Sequence, residues 1–201
     1  VRTILLFLGE AQIDEIEAIR KKHDPLFGFI QPHITLVFPF ESALSNDELR
    51  AHIARKLQGI HPIEIELIDR ISHEGEYLFL YVEKGREQVR ELHDELYKGP
   101  LTEFLRSDIP YIPHVTVGRK ENEQWAIKIA EKMLKLSTRL RCIIEKVSVE
   151  RIGEDGESII EFEVELQNKK EIQICISFLL IFHIYVLKWK NAHCLFFVKT
   201  Q

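Results

Sequence analysis

Cysteine is scarce in this sequence. Cys142, Cys175 and Cys194 make no CxxC pair and no disulfide framework. A stapled scaffold is excluded, and a reducing compartment, the cytoplasm, is expected. Metal-site spacing is missing as well, with no HExxH and no Cys/His cluster. No metal and no cofactor are expected. The apolar run Ile4–Leu8 is too short for a signal-peptide core and is followed by acids, so it reads as a first strand. Positive charge is also lacking. The formal net charge is −5, and residues 1–170 carry −7 because the segment from Glu171 onward sets one acid against Lys188, Lys190 and Lys199. An acidic body excludes wrapping a long nucleic acid, which needs many Lys and Arg contacts. It leaves room for a local pocket that grips one phosphate.

What the sequence does hold is a copy of itself. Pro32-His33-Ile34-Thr35-Leu36 lies over Pro113-His114-Val115-Thr116-Val117 at an ungapped offset of 81 residues. The same offset lays Asp69-Arg70-Ile71 over Glu150-Arg151-Ile152, and Glu74-Gly75-Glu76 over Asp155-Gly156-Glu157. Each copy reads as a short β-branched strand carrying His and Thr, then a helix, then a hairpin.

In the first copy the helix spans about 45–58. Ser45 and Glu48 form its capping box, and Leu49, Ile53 and Leu57 its apolar stripe. In the second it spans about 122–136, with Trp125, Ile129, Met133 and Leu136 on one face. The hairpins pair 62–72 with 77–83 and 141–152 with 158–166. Strand 2–8 and helix 10–22 precede the copies, and helix 86–98, closed by Gly99-Pro100, links them. The pattern predicts an α+β fold with two pseudo-symmetric β-α-β-β repeats at about 30–84 and 111–166. Their antiparallel sheets flank a central cleft, and the helices lie outside. One two-lobed domain over 1–168 and a separate segment over 169–201 are expected.

Residues i and i+2 of a strand share a face. His33 therefore stands beside Thr35, and His114 beside Thr116. If the two faces meet, the cleft holds two imidazoles and two hydroxyls. One imidazole can take the proton of an attacking water while the other gives one to a leaving oxygen. The hydroxyls can donate to the non-bridging oxygens of a phosphate. Histidine suits both roles because its ordinary pKa is about 6.5.

These two His-x-Thr motifs resemble those of the 2H phosphoesterase superfamily, which includes 2′-5′ RNA ligase-like proteins and cyclic phosphodiesterases. Asp24-Pro25-Leu26-Phe27 through Pro32-His33-Ile34-Thr35-Leu36-Val37-Phe38-Pro39-Phe40 is similar to the bacterial 2′-5′ RNA ligase family, as is Pro113-His114-Val115-Thr116-Val117-Gly118-Arg119. The resemblance covers about residues 2–166. It implies a bilobal fold and metal-independent opening of a 2′,3′-cyclic phosphate on a nucleotide or RNA end. His33 and His114 match the catalytic histidines, and Thr35 and Thr116 the phosphate-binding hydroxyls. The other reading is a non-catalytic module that holds a nucleotide or RNA end on the same fold. The expected partner is a small nucleotide or RNA-end phosphodiester, and the expected state a monomer.

Arg119 is a further candidate for phosphate contact. Strand alternation sets it opposite Thr116 unless Gly118 bends the chain, which favours a surface ion pair. Tyr111 and Phe29 could stack on a base or pack in the core. His23, His52, His61, His73 and His93 read as solvated or locally bonded. A metal shared by His33 and His114 lacks a carboxylate at a fixed offset to complete it. The tail turns apolar from Ile172, and Ile174–Leu187 is nearly unbroken. A spanning helix needs about 20 residues. A short membrane anchor, an added packed element and an atypical extension remain open readings, with the last favoured.

Overall fold

A computed structural model describes residues 1–9, 13–132, 136 and 139–167. The tail lies outside the described residues, as do Met133 and the predicted helix start at 10–12. The elements run β1 (Arg2–Phe7), α1 (Asp14–His23), β2 (His33–Phe40), α2 (Asn46–Lys56), β3 (Ile63–Leu67), β4 (Ser72–Glu74) and β5 (Tyr77–Lys84). They continue with α3 (Arg86–Leu96), a 3-10 turn (Thr102–Phe104), β6 (His114–Arg119), α4 (Glu123–Lys132), β7 (Arg141–Ile144), β8 (Lys146–Ile152) and β9 (Ser158–Glu165). The class is α+β, as predicted.

The strands form one antiparallel sheet in the order β7-β3-β5-β6-β2-β1-β8-β9, with β4 paired to β5. The sequence copies interlock in it. Copy two's β6 pairs with β5 of copy one, while copy one's β2 pairs with β1, which joins β8 of copy two. The two motif strands β2 and β6 thereby become neighbours at the middle of the sheet, antiparallel through the pair Ile34↔Val115. β7 and β8 stand near opposite ends of the strand order, yet only Glu145 separates them in the chain. The sheet must therefore curl. Its convex face is covered by helices: α1 packs on β6, α2 on β9, α3 on β2 and β3, and α4 on β4 and β5.

A single hydrophobic cluster lies between sheet and helices. It includes Ile4, Leu6, Ile34, Leu36, Val115 and Val117, each at most 1% exposed, together with Leu49 and Ile53 of α2. The predicted capping box of α2 is present: the Glu48 amide donates to Ser45 Oγ, and the Ser45 amide to the Glu48 carboxylate.

Three expectations change. Both long predicted strands are broken. The chain leaves β3 at Asp69, whose carbonyl accepts the Leu136 amide at 2.7 Å instead of continuing the hairpin. The 141–152 strand is interrupted at Glu145, whose carbonyl accepts the Leu166 amide, and β7 crosses to pair with β3 while β8 pairs with β9. On the predicted face of α4, Ile129 packs against the core and Leu136 is buried, but Trp125 is 52% exposed under Lys128, and the fully packed positions of the helix are Ala126 and Ala130.

Candidate active site

Ile34 and Val115 point into the core, so strand alternation sends His33, Thr35, His114 and Thr116 to the opposite, concave face. All four are half-buried. The Ile34↔Val115 register runs His33 toward Thr116 and Thr35 toward His114. The four side chains predicted from the repeat thus share one patch.

The two rings are held alike. His33 Nδ1 lies 2.8 Å from the Gln31 carbonyl, and His114 Nδ1 lies 2.7 Å from the Ile112 carbonyl. A carbonyl only accepts, so each Nδ1 carries a hydrogen and donates it. Nε2 is left as the working nitrogen of both rings.

The flanking strands repeat the symmetry. Phe7 pairs with His33 across β1 and β2, and Tyr81 pairs with His114 across β5 and β6. Each aromatic ring meets its imidazole edge-on, at 6.1 Å and 6.2 Å. Leu5 beside Thr35 and Phe79 beside Thr116 form the floor, 1% and 8% exposed. Phe79 also lies 4.1 Å from the His114 ring, centroid to centroid.

Both imidazoles titrate below their ordinary value. Desolvation is the main cause for His33; the Gln31 carbonyl and Asp24 oppose it, and the Arg20 and His114 charges add to it. Desolvation also leads for His114, opposed by the Ile112 carbonyl and Glu74. Both rings therefore favour the neutral form, and an anion placed between them favours a proton on one. Among the described residues no group of three His, Cys, Asp or Glu side chains is placed to hold a metal.

Two weaker candidates are placed differently. A β-bulge between Leu78 and Phe79 shifts the register, so that Arg119 pairs with Tyr77 and shares the concave side with Thr116 after all. The alternation argument fails at this bulge. Yet Arg119 is spent on an ion pair, with Nε and Nη2 at 2.8 Å and 2.5 Å from Glu76 Oε1, and its guanidinium stands 5.2 Å from the Tyr77 ring centre. Gly118 serves close packing: an added Cβ would lie 2.9 Å from His23 Cβ at the end of α1.

Tyr111 is not offered to a base. Its ring stacks on His93 at 3.5 Å and its hydroxyl donates to the Thr35 carbonyl at 2.8 Å. The reading of His52 and His93 as solvated or locally bonded is overturned too. Both are buried, and their rings donate to distant carbonyls, Leu96 for His52 and Leu36 for His93. Both sit on the packed faces of their helices, which the apolar period alone did not assign to histidine.

A cavity of about 700 Å³ is lined by Phe7, Phe29, Gln31, Ile160, Lys146 and Glu163 among others; it reaches the loop ahead of His33 but is lined by none of the four motif side chains. Sequence reasoning missed Phe7, Phe79 and Tyr81. Their signal was the second pair of alternating strands, β1 and β5, which flank the motif strands; β1 precedes both copies, and the 81-residue offset lays β5 over β9, not over β1.

Two imidazoles and two hydroxyls thus stand on one concave face of a helix-backed sheet, the arrangement that the resemblance to two-histidine phosphoesterases implies. Known proteins agree. Residues 8–156 match the 2′-5′ RNA ligase superfamily, and the chain belongs to that family. A protein of Bacillus licheniformis named "Putative phosphoesterase" is 29% identical over 121 residues, covering 58% of this chain and 69% of its own length. Its counterpart in Oceanobacillus iheyensis is 30% identical over 121 residues, covering 58% and 68%. A crystal structure of a phosphoesterase superposes with a TM-score of 0.54 at 13% identity, over 83% of this chain and 98% of that one. Escherichia coli LigT complexed with 3′-AMP gives 0.52 at 13% identity over the same shares. At such identity the likeness establishes the fold. Among the described residues no helix is long and apolar enough to cross a membrane.

Proposed function

We propose that the protein is a phosphoesterase that hydrolyses a phosphodiester, a 2′,3′-cyclic phosphate on a nucleotide or RNA end, by metal-independent acid–base catalysis with His33 and His114. The observation that carries this reading is the matched pair of carbonyl-held rings on neighbouring strands, each with Nε2 free. In the reaction one neutral Nε2 accepts a proton as water oxygen bonds to phosphorus. The ribose oxygen leaves as its bond to phosphorus breaks, and takes a proton from the other ring, which entered charged. The proton inventory of the pair is then unchanged in number and exchanged in place, and solvent resets it. Such positioned groups each supply roughly 10²–10⁴-fold.

Thr35 and Thr116 donate to the non-bridging oxygens, whose charge must be held in the transition state. The low intrinsic pKa of both rings fits this scheme, because the bound phosphate anion supplies what keeps one of them protonated. A nucleotide ligand is in keeping with the fold, since LigT structures hold 3′-AMP and NADP+. Thr35 and Thr116 are assigned to substrate; Arg119 and Tyr111 are not, given the partners they already have.

The test is a panel of nucleoside 2′,3′-cyclic monophosphates and short RNAs ending in a cyclic phosphate, incubated with the full chain in excess EDTA. Product carrying a single phosphomonoester is expected. Binding without product across the panel contradicts the enzyme and leaves a nucleotide-binding module. Turnover that EDTA abolishes and a divalent metal restores contradicts the acid–base scheme.

A further inference from the structure

β2 and β6 pair at Ile34↔Val115 alone. Past that pair the backbone of β2 is held by side chains from elsewhere. The Tyr111 hydroxyl donates to the Thr35 carbonyl at 2.8 Å, His93 Nδ1 donates to the Leu36 carbonyl at 2.7 Å, and the Phe38 amide donates to the Tyr97 hydroxyl at 3.0 Å. These three side chains form one stack. Tyr111 lies flat on His93 at 3.5 Å and 6° between planes, and His93 meets Tyr97 edge-on at 4.9 Å. The stack joins α3 and the loop ahead of β6 to the backbone of β2.

Tyr111 differs from the other two because it belongs to both halves of the site. Its hydroxyl fixes Thr35, the phosphate-facing residue of the first motif. The next residue in its own chain is Ile112, whose carbonyl orients the His114 ring. A shift of Tyr111 must therefore change the spacing between Thr35 and His114. The arrangement occurs once. The residue at the matching place in the first copy is Ile30, whose carbonyl accepts instead from Arg20 Nη2 at 2.7 Å.

We propose that Tyr111, backed by His93, is a positioning residue that ties the two half-sites together and sets the distance across which the histidines share a phosphate. The proposal rests on the phosphoesterase reading for its kinetic consequence, but its geometric content does not need turnover. Neither residue touches the phosphate. Losing the hydroxyl leaves the stack in place and frees the Thr35 backbone, so bound phosphate is held by one half-site better than by both.

The experiment uses Tyr111→Phe in the full chain, below its melting transition. Inorganic phosphate is titrated while the imidazole resonances of His33 and His114 are followed by NMR. In the parent protein both rings respond with one dissociation constant. In Tyr111→Phe the two responses are expected to separate, with phosphate affinity weakened about fivefold to tenfold, the size of one lost hydrogen bond. On a nucleoside 2′,3′-cyclic monophosphate, kcat is expected to fall about tenfold or more while KM changes less. His93→Asn, whose amide nitrogen overlies Nδ1, should recover most of the coupled response that His93→Leu loses. This pair carries the same test if Tyr111→Phe does not fold.

A lower melting temperature with coupled ring responses and kcat unchanged means that Tyr111 is only structural, and overturns the proposal. If the parent protein turns nothing over yet its rings respond together and Tyr111→Phe separates them, the enzyme reading fails and the tie stands.

Discussion

The two half-sites use the same working parts and different fastenings. In both, a strand presents His-x-Thr, a carbonyl two residues upstream orients the ring, and an aromatic residue on the flanking strand meets it edge-on. Behind the first half stands a charge. Arg20 is 1% exposed, and its guanidinium donates to Asp24, Glu17 and the carbonyls of Leu26 and Ile30, which fixes the loop ahead of His33. Behind the second half stands a neutral stack, Tyr111 on His93. The surroundings differ too: the cavity borders the loop residues Gln31 and Pro32 ahead of His33, whereas Phe79 packs against the His114 ring. The two copies share the geometry of the His-x-Thr strand and its ring-orienting carbonyl. The means of holding it diverged, because any buried donor of the right reach can fix a loop.

The largest effect separating the halves should come from Arg20→Met. It leaves Asp24, whose side chain is 5% exposed, without the guanidinium it pairs with. Breaking a buried pair in this way costs about 3–5 kcal/mol. Chemical denaturation should show a loss of that order, and hydrogen exchange should quicken first in residues 24–32. Uniform loosening of both motif loops would mean that the fastenings are not separate.

The matched chemistry makes the next expectation symmetrical. Thr35→Ala and Thr116→Ala each remove one hydrogen bond to a charged oxygen, worth about 1.5–3 kcal/mol. Each should lower turnover by roughly 10-fold to 100-fold and by similar factors, with melting temperatures near the parent's. A large effect at one Thr and none at the other would show that a single half-site holds the phosphate.

A smaller effect follows from pH. His33, His52, His93 and His114 are all lowered, each mainly by desolvation. A depressed pKa in the folded state means that the unfolded chain binds protons more readily. Stability is then complete above about pH 6.5 and is lost as pH falls through the folded values. Melting temperature should fall between pH 7 and pH 5. Amides around Tyr111, fastened through His93, should open before those fastened by Arg20, which stays charged. Melting that is flat over this range would contradict the assignment of neutral buried rings.

Much of this was legible in the sequence because its signals are local. The i, i+2 spacing puts His beside Thr on one face of each motif strand, and the 81-residue repeat makes the two strands equivalent; that the strands are neighbours is shown by the fold. The class, the capping box of α2 and the apolar stripe of Leu49, Ile53 and Leu57 follow from the same short-range rules. What was hidden depends on distant partners. Nothing near Glu145 reveals that β7 leaves for β3. The bulge that turns Arg119 to the concave side is set by β5. The burial of His93 and Tyr111 depends on carbonyls of β2 that only the folded chain brings within reach. Trp125 misled because the apolar period leaves the inward direction of a helix uncertain by about one residue, and its neighbour Ala126 takes the buried position.

The central claim is that His33 and His114 act as one acid–base unit. Its most direct test is single-turnover cleavage of a nucleoside 2′,3′-cyclic monophosphate by His33→Ala, His114→Ala and the double variant, with thermal melts as the control for folding. Each single change should cost at least about 10²–10⁴-fold. The double variant should be little slower than either, because losses within a concerted unit do not add. Near-parental turnover by either folded single variant, or a double loss equal to the product of the two, would contradict it.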